Sequence, residues 1–135
     1  MKISTKARYG LRALCHVANR GHASAQTIAE TQSIPSRYLE EIIAQLRRAG
    51  FVVGKRGPRG GYRLARPASE IYVGEIIAAL SRPAPGTNTP QDEITRIVES
   101  SVDAQFKDVM YKLPLADLLG QAREQHMRSA TNYVI

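Results

Sequence analysis

The 135-residue chain contains one cysteine, Cys15, and no tryptophan. A single thiol excludes an intramolecular disulfide and any multi-thiolate metal site within one chain. No apolar run approaches the roughly 18 residues of a membrane span. The opening Met-Lys-Ile-Ser-Thr-Lys-Ala-Arg lacks the apolar stretch of a secretory signal. A cytoplasmic protein with no membrane partner is therefore expected. No nucleophile stands with a base, there is no P-loop, and the glycines at 54, 57, 60 and 61 do not match GxGxxG. His22 and His126 have no partners at metal-ligand spacing, and His16 follows Cys15 directly, which does not bring the two side chains face to face on a helix. Neither enzymatic activity nor a cofactor or metal is expected.

Hydrophobic residues make up 43% of the chain and charged residues 23%, a composition that builds one ordinary folded domain and an appendage. The net charge of +7 is unevenly placed. Residues 1–70 hold thirteen Lys/Arg against four Asp/Glu, and residues 71–135 hold six against eight. A front half at +9 and a back half at −2 suggest that one part meets a polyanion and the other does something else.

The pattern of apolar residues places the elements. Ser4 or Thr5 can cap a first helix that ends near Arg20 with Gly21 as its stop, and Ala7, Leu11, Leu14, Cys15 and Ala18 lie on one face. A short second helix follows Ser24. After the polar turn 31–34, Pro35 opens a third helix in which Leu39, Ile42, Ile43 and Leu46 fall at i, i+3, i+4, i+7. Two helices across a short turn, the second with a polar outer face, form a helix-turn-helix pattern. Beyond Gly50, Phe51-Val52-Val53 and Tyr62-Arg63-Leu64-Ala65 read as strands joined by a Gly/Pro-rich tip that carries Lys55, Arg56 and Arg59. A fourth helix is expected over Val73–Leu80. The stretch 82–91 reads as a linker loop, and a long amphipathic helix runs through Ile94, Ile97, Val98, Val102, Phe106, Val109, Met110 and Leu113. Pro114 ends or kinks it, residues 115–122 form a last short helix, and residues 123–135 read as a tail. The fold class is thus mainly α, a winged helix-turn-helix with a two-stranded β-wing: residues 1–81 form the binding domain and 92–122 a pair of C-terminal helices.

The wing points to double-stranded DNA as the partner. Lys and Arg bind phosphates, and glycines let a backbone approach closely, so Lys55, Arg56 and Arg59 suit a minor groove or a clamp on the DNA backbone. On the third helix, Ser36, Arg37, Tyr38 and Glu40 occupy the turns that enter a major groove in such proteins. Arg37 can pair bidentately with guanine and Glu40 can accept from cytosine N4. Glu40 and Glu41 can equally be exposed acids that orient Arg37, and Tyr38 can pack on the core or reach a phosphate. Cys15, on an apolar helix face, reads as a core thiol rather than a redox group.

Lys6-Ala7-Arg8-Tyr9, Tyr38-Leu39-Glu40, Arg56-Gly57-Pro58-Arg59-Gly60-Gly61-Tyr62 and Val73-Gly74-Glu75-Ile76-Ile77 resemble the signature of the Rrf2 family of bacterial winged-helix regulators, closely over about residues 1–80 and in layout beyond. The resemblance implies a homodimer built on a long crossing helix and reading a two-fold related operator, taken here as a repressor. It places Arg37, Glu40 and Arg56, with Tyr38 alongside, where family members contact DNA. The amphipathic helix through 94–113 fits such dimerisation; packing on its own domain is the alternative. Many members hold an iron–sulfur cluster through three cysteines after the fourth helix. Here that loop, 82–91, has no Cys, His, Asp or Glu, so the chain resembles the cluster-free branch, for which cysteine or sulfur metabolism is one theme. A small effector or a partner protein is left open. The rival readings are a non-specific nucleic-acid-binding module and a dimeric adaptor that has lost specific DNA binding.

Overall fold

A computed structural model describes residues 3–57, 60–81 and 92–133. Six helices and one hairpin follow in order: α1 Thr5–Arg20, α2 Ala25–Gln32, α3 Ser36–Arg48, β1 Val52–Lys55, β2 Gly61–Leu64, α4 Val73–Leu80, α5 Glu93–Tyr111 and α6 Leu115–Tyr133, with a short 3-10 turn at Ala68–Glu70. The architecture is the mainly helical winged helix-turn-helix expected.

Local chemistry explains most boundaries. The Ser4 hydroxyl accepts from the Ala7 N–H at 3.1 Å, and Gly21 ends α1 in the left-handed region. Ser24 caps α2 in the same way, accepting from the Thr27 N–H. Asp92 caps α5 through the Thr95 N–H at 2.7 Å and the Thr95 hydroxyl at 2.9 Å. Those bonds, the backbone one first, hold its carboxyl below the usual carboxylate range. The strands are displaced from the expected 51–53 and 62–65. The Phe51 side chain is buried in the core, and its backbone links the end of α3 to the hairpin, Phe51 N–H donating to Leu46 O and Ala65 N–H to Phe51 O.

The hairpin pairs antiparallel, Val52 with Leu64 and Lys55 with Gly61. It is also tied to the helix-turn-helix. Ala23, just before α2, exchanges two hydrogen bonds with Tyr62, at 3.0 and 2.7 Å. Gly61 allows this approach: a Cβ there would lie 2.7 Å from the Ala23 carbonyl oxygen.

The core has two lobes. Ala7, Leu14, Ile42, Leu46, Ile71, Ile76, Leu80 and Leu115 pack between α1, α3, α4 and the start of α6. Ala13, Val17, Ile28, Ile34, Leu39 and Ile43 pack between α1, α2 and α3. The stripe residues of α3, Leu39, Ile42, Ile43 and Leu46, are at most 4% exposed. Full burial of each such side chain contributes about 1.5–3 kcal/mol. The buried face of α1 differs from the expected one: Leu11, Cys15 and Ala18 are half-buried, whereas Ala13, His16 and Val17 are buried. α1 is covered from several sides at once, so no single stripe describes it.

Among the described residues, the C-terminal helices meet the domain around their junction. Val73 N–H donates to Leu113 O and Leu115 N–H to Ile71 O, while Met110, Leu115 and Leu119 are buried. Away from the junction, residues 93–109 and 120–129 are exposed. α6 also runs on to Tyr133, well past residue 122 and through the stretch expected to be a tail. The expected linker, 82–91, and Arg59 lie outside the described residues.

Candidate nucleic-acid interface

The third helix is held by the turn before it. Ser33 closes α2 in the left-handed region, with φ 53°, and the Ile34 N–H donates to Ala29 O. Behind the turn, Gln32 joins α2 to α1. Its backbone carbonyl accepts from the Arg12 guanidinium, its side-chain oxygen accepts from Arg12 Nε at 3.4 Å, and its amide nitrogen lies 3.3 Å from His16 Nδ1. With the amide oxygen turned to Arg12, the amide N–H donates to Nδ1, and the imidazole proton then sits on Nε2. His16 is 6% exposed, and its Nε2 has no partner among the described residues. Burial first, then the charge of Arg20, lowers its pKa from the ordinary value. Sequence analysis weighed His16 only against its neighbour Cys15, whereas its partner in the fold, Gln32, is sixteen residues away on another helix.

Ser36, Arg37 and Glu40 are all exposed on the first turns of α3. Pro35 supplies no side-chain cap, so the first N–H groups of α3 are left open to solvent or to a phosphate oxygen. Tyr38 is the exception among the four expected contacts. It is half-buried and packs edge-to-face on Tyr9, ring centroids 5.6 Å apart, which is the core-packing alternative. The two acids separate as well. Glu41 is taken by Lys6 at 3.3 Å, whereas Glu40 has no ion pair, to Arg37 or to any other described residue.

On the wing, Lys55 and Arg56 are exposed. They line one open cleft with Gly54, Gly61, Tyr62 and Arg47 from the last turn of α3. Sequence reasoning did not single out Arg47. Its signal was a stripe, since Arg37, Glu40, Ala44 and Arg47 stand at i, i+3, i+7, i+10 and all four are exposed. Arg66, at the exit of the hairpin, secures the wing: it pairs with Glu75 at 3.5 Å, donates to Glu70 O and lies over the Phe51 ring.

The expected dimerisation residues fall into two groups. Ile94, Ile97, Val98, Val102, Phe106 and Val109 are exposed along α5. Met110 and Leu113 are not available in the same way: Met110 is buried in the protomer's own core and Leu113 is half-buried at the α5–α6 junction. The physical reason is the junction itself, where α4 crosses α5 so closely that a Cβ on Gly74 would lie 2.9 Å from the Tyr111 backbone nitrogen. Cys15 is half-buried, and burial pushes its thiol up, away from the reactive thiolate form.

A helix-turn-helix with an uncapped, polar third helix beside a basic hairpin defines the class of winged-helix DNA-binding transcriptional regulators. The comparisons with known proteins agree. The Rrf2 family, described as iron-dependent transcriptional regulators, matches residues 3–121, and the chain belongs to that family. A Synechocystis protein named as an HTH-type transcriptional regulator is 41% identical over 133 residues, 91% of this chain and 90% of the relative. CymR of Bacillus subtilis is 40% identical over 87% of this chain and 89% of its own. Its solved structure, described as that of the global cysteine regulator, superimposes with a TM-score of 0.76 over 90% of this chain and 98% of that one. The structure of IscR from T. potens gives a TM-score of 0.78 at 38% identity, covering 93% and 90%.

The family description includes iron, and the donor set here does not fit the cysteine-held cluster. The chain has one thiol, half-buried on α1. Among the described residues, no group of three or more His, Cys, Asp or Glu is placed to hold a metal. Also among the described residues, no helix is long and apolar enough to cross a membrane.

Proposed function

We propose that the protein is a cytoplasmic, non-enzymatic regulator that binds a palindromic operator as a homodimer, without an iron–sulfur cluster, and represses transcription. The observation that carries this reading is the exposed polar stripe of α3, uncapped at its start and adjoined by the Lys55 and Arg56 wing. An α-helix fits the major groove, and a basic hairpin beside it grips the flanking backbone. Ser36, Arg37 and Glu40 act at base edges and the nearest phosphate, while Lys55, Arg56 and Arg59 hold the backbone. The apolar face of α5 supports the dimer, since six large apolar side chains in line on one exposed helix form a patch that a second copy would cover. A dimer bound across a promoter blocks access to it, hence the assignment as a repressor.

Selection of bound sequences from random duplex DNA at near-physiological salt tests the proposal. A two-fold symmetric motif is expected. Salt-sensitive binding with no motif would point instead to a non-specific binder, and a promoter–reporter fusion that loses expression on deletion of the regulator would reverse the assigned sign.

A further inference from the structure

We infer that Arg47 closes a phosphate-binding cleft between the end of α3 and the wing, setting the depth at which α3 enters the groove. The inference rests on the DNA-binding reading above and adds a contact that the first turns of α3 do not supply.

Three cations from two elements converge on the cleft, Arg47 from α3 and Lys55 and Arg56 from β1 and the residue after it. Among the described residues, no carboxylate pairs with any of them, although Lys6, Arg66 and Lys112 elsewhere in the chain each have an acidic partner. Like charges gathered in one concavity repel unless an anion joins them. The cleft is open and lined with nitrogen donors, and guanidinium groups match phosphate oxygens in a bidentate fork. Gly54, opposite Tyr62 in the hairpin, lines the cleft without adding a side chain to it.

Helix geometry identifies which phosphate. Arg47 shares the outer stripe with Arg37 and Glu40 and lies ten residues beyond Arg37, a rise of about 15 Å. The major groove is about 12 Å wide and about 8.5 Å deep. With Arg37 at the base edges, Arg47 therefore falls at the rim, where the sugar-phosphate backbone runs. A contact there carries no base information, but it fixes how far the helix is inserted.

The test measures binding of the full-length protein to two probes across a salt series: the duplex pool recovered by the wild type from random DNA, and the unselected pool. Arg47→Gln is expected to weaken both pools alike, by about five- to tenfold, and to lower the salt slope by about 0.9. Arg47→Lys should keep the slope. Arg128→Gln, which removes one charge from α6, should match the wild type. Retained thermal unfolding of Arg47→Gln separates a lost contact from a lost fold. The inference is overturned if Arg47→Gln binds like the wild type, if Arg128→Gln shows the same loss, or if the loss is confined to the selected pool, which would mean base reading. A wild type with no salt-dependent binding to either pool would instead remove the DNA reading itself, before any variant is compared.

Discussion

α3 and α5 carry similar apolar stripes and treat them in opposite ways. Leu39, Ile42, Ile43 and Leu46 are sealed inside the protomer, while Ile94, Ile97, Val98, Val102, Phe106 and Val109 stand 40–75% exposed. Periodicity states that a helix has something to cover, and it does not state what covers it. In α3 the cover comes from α1, α2 and α4 of the same chain. Along α5 no described residue supplies it above the junction, which is why a second copy is proposed there.

The largest expected effect comes from placing charge on that open face. Val102→Asp with Phe106→Asp should yield a monomer in sedimentation with an intact helical signal, because each carboxylate buried at a dimer seam costs several kcal/mol. If the variant still dimerises, the face serves something else. The corresponding change in α3, Leu46→Ala, should cost about 2–5 kcal/mol of stability in denaturant titrations. A cost near zero would mean that the lobe beneath α3 is not a packed core.

Within the interface itself the contrast is between reading and gripping. Arg37→Ala should lose about 1–3 kcal/mol on selected duplex and relax the preferred sequence. Lys55→Ala should weaken all duplexes alike, with the salt slope reduced by about 1. Equal behaviour of the two variants would erase the distinction between helix and wing.

The smallest effect is expected of pH. His16 is neutral in the fold and its pKa is lowered, so the unfolded chain, protonating near 6.5, binds the proton more readily. Its stabilisation is present above pH 6.5 and is lost as pH falls from there toward the lower folded value. Unfolding midpoints between pH 7.5 and 5.5 should show this decline, and His16→Leu should show less of it. An unchanged slope in that variant would place the effect elsewhere.

Much of the fold was legible because its signals are local. Ser4 and Gly21 bound α1, and the α4 boundaries follow from its apolar spacing. The end of α6 was missed for a different reason. Residues 120–129 have no apolar stripe because they cover nothing in the protomer, yet Gln, Ala, Arg, Glu and Met favour a helix by propensity alone. Arg37, Glu40, Lys55 and Arg56 were legible as residue types in a pattern, and all four are exposed in the fold. Tyr38 was left between two roles, and it packs on Tyr9, a residue of α1 that no local spacing brings near.

By itself, the sequence determined the order and type of the six α-helices and two strands, the concentration of positive charge in the first seventy residues and the shortage of thiols that rules out a three-cysteine cluster. These depend on caps, periodicity and composition, which act over a few residues or by simple count. Only the tertiary structure decided that Met110 turns inward, that Glu41 is occupied by Lys6 while Glu40 is not, that Gln32 links Arg12 to His16, and that Arg47 meets the wing. Each of these depends on how separate elements cross, and the Lys6–Glu41 pair joins residues 35 apart in the chain. Crossing geometry is set by packing the whole core at once, so it cannot be read from any one stretch of sequence.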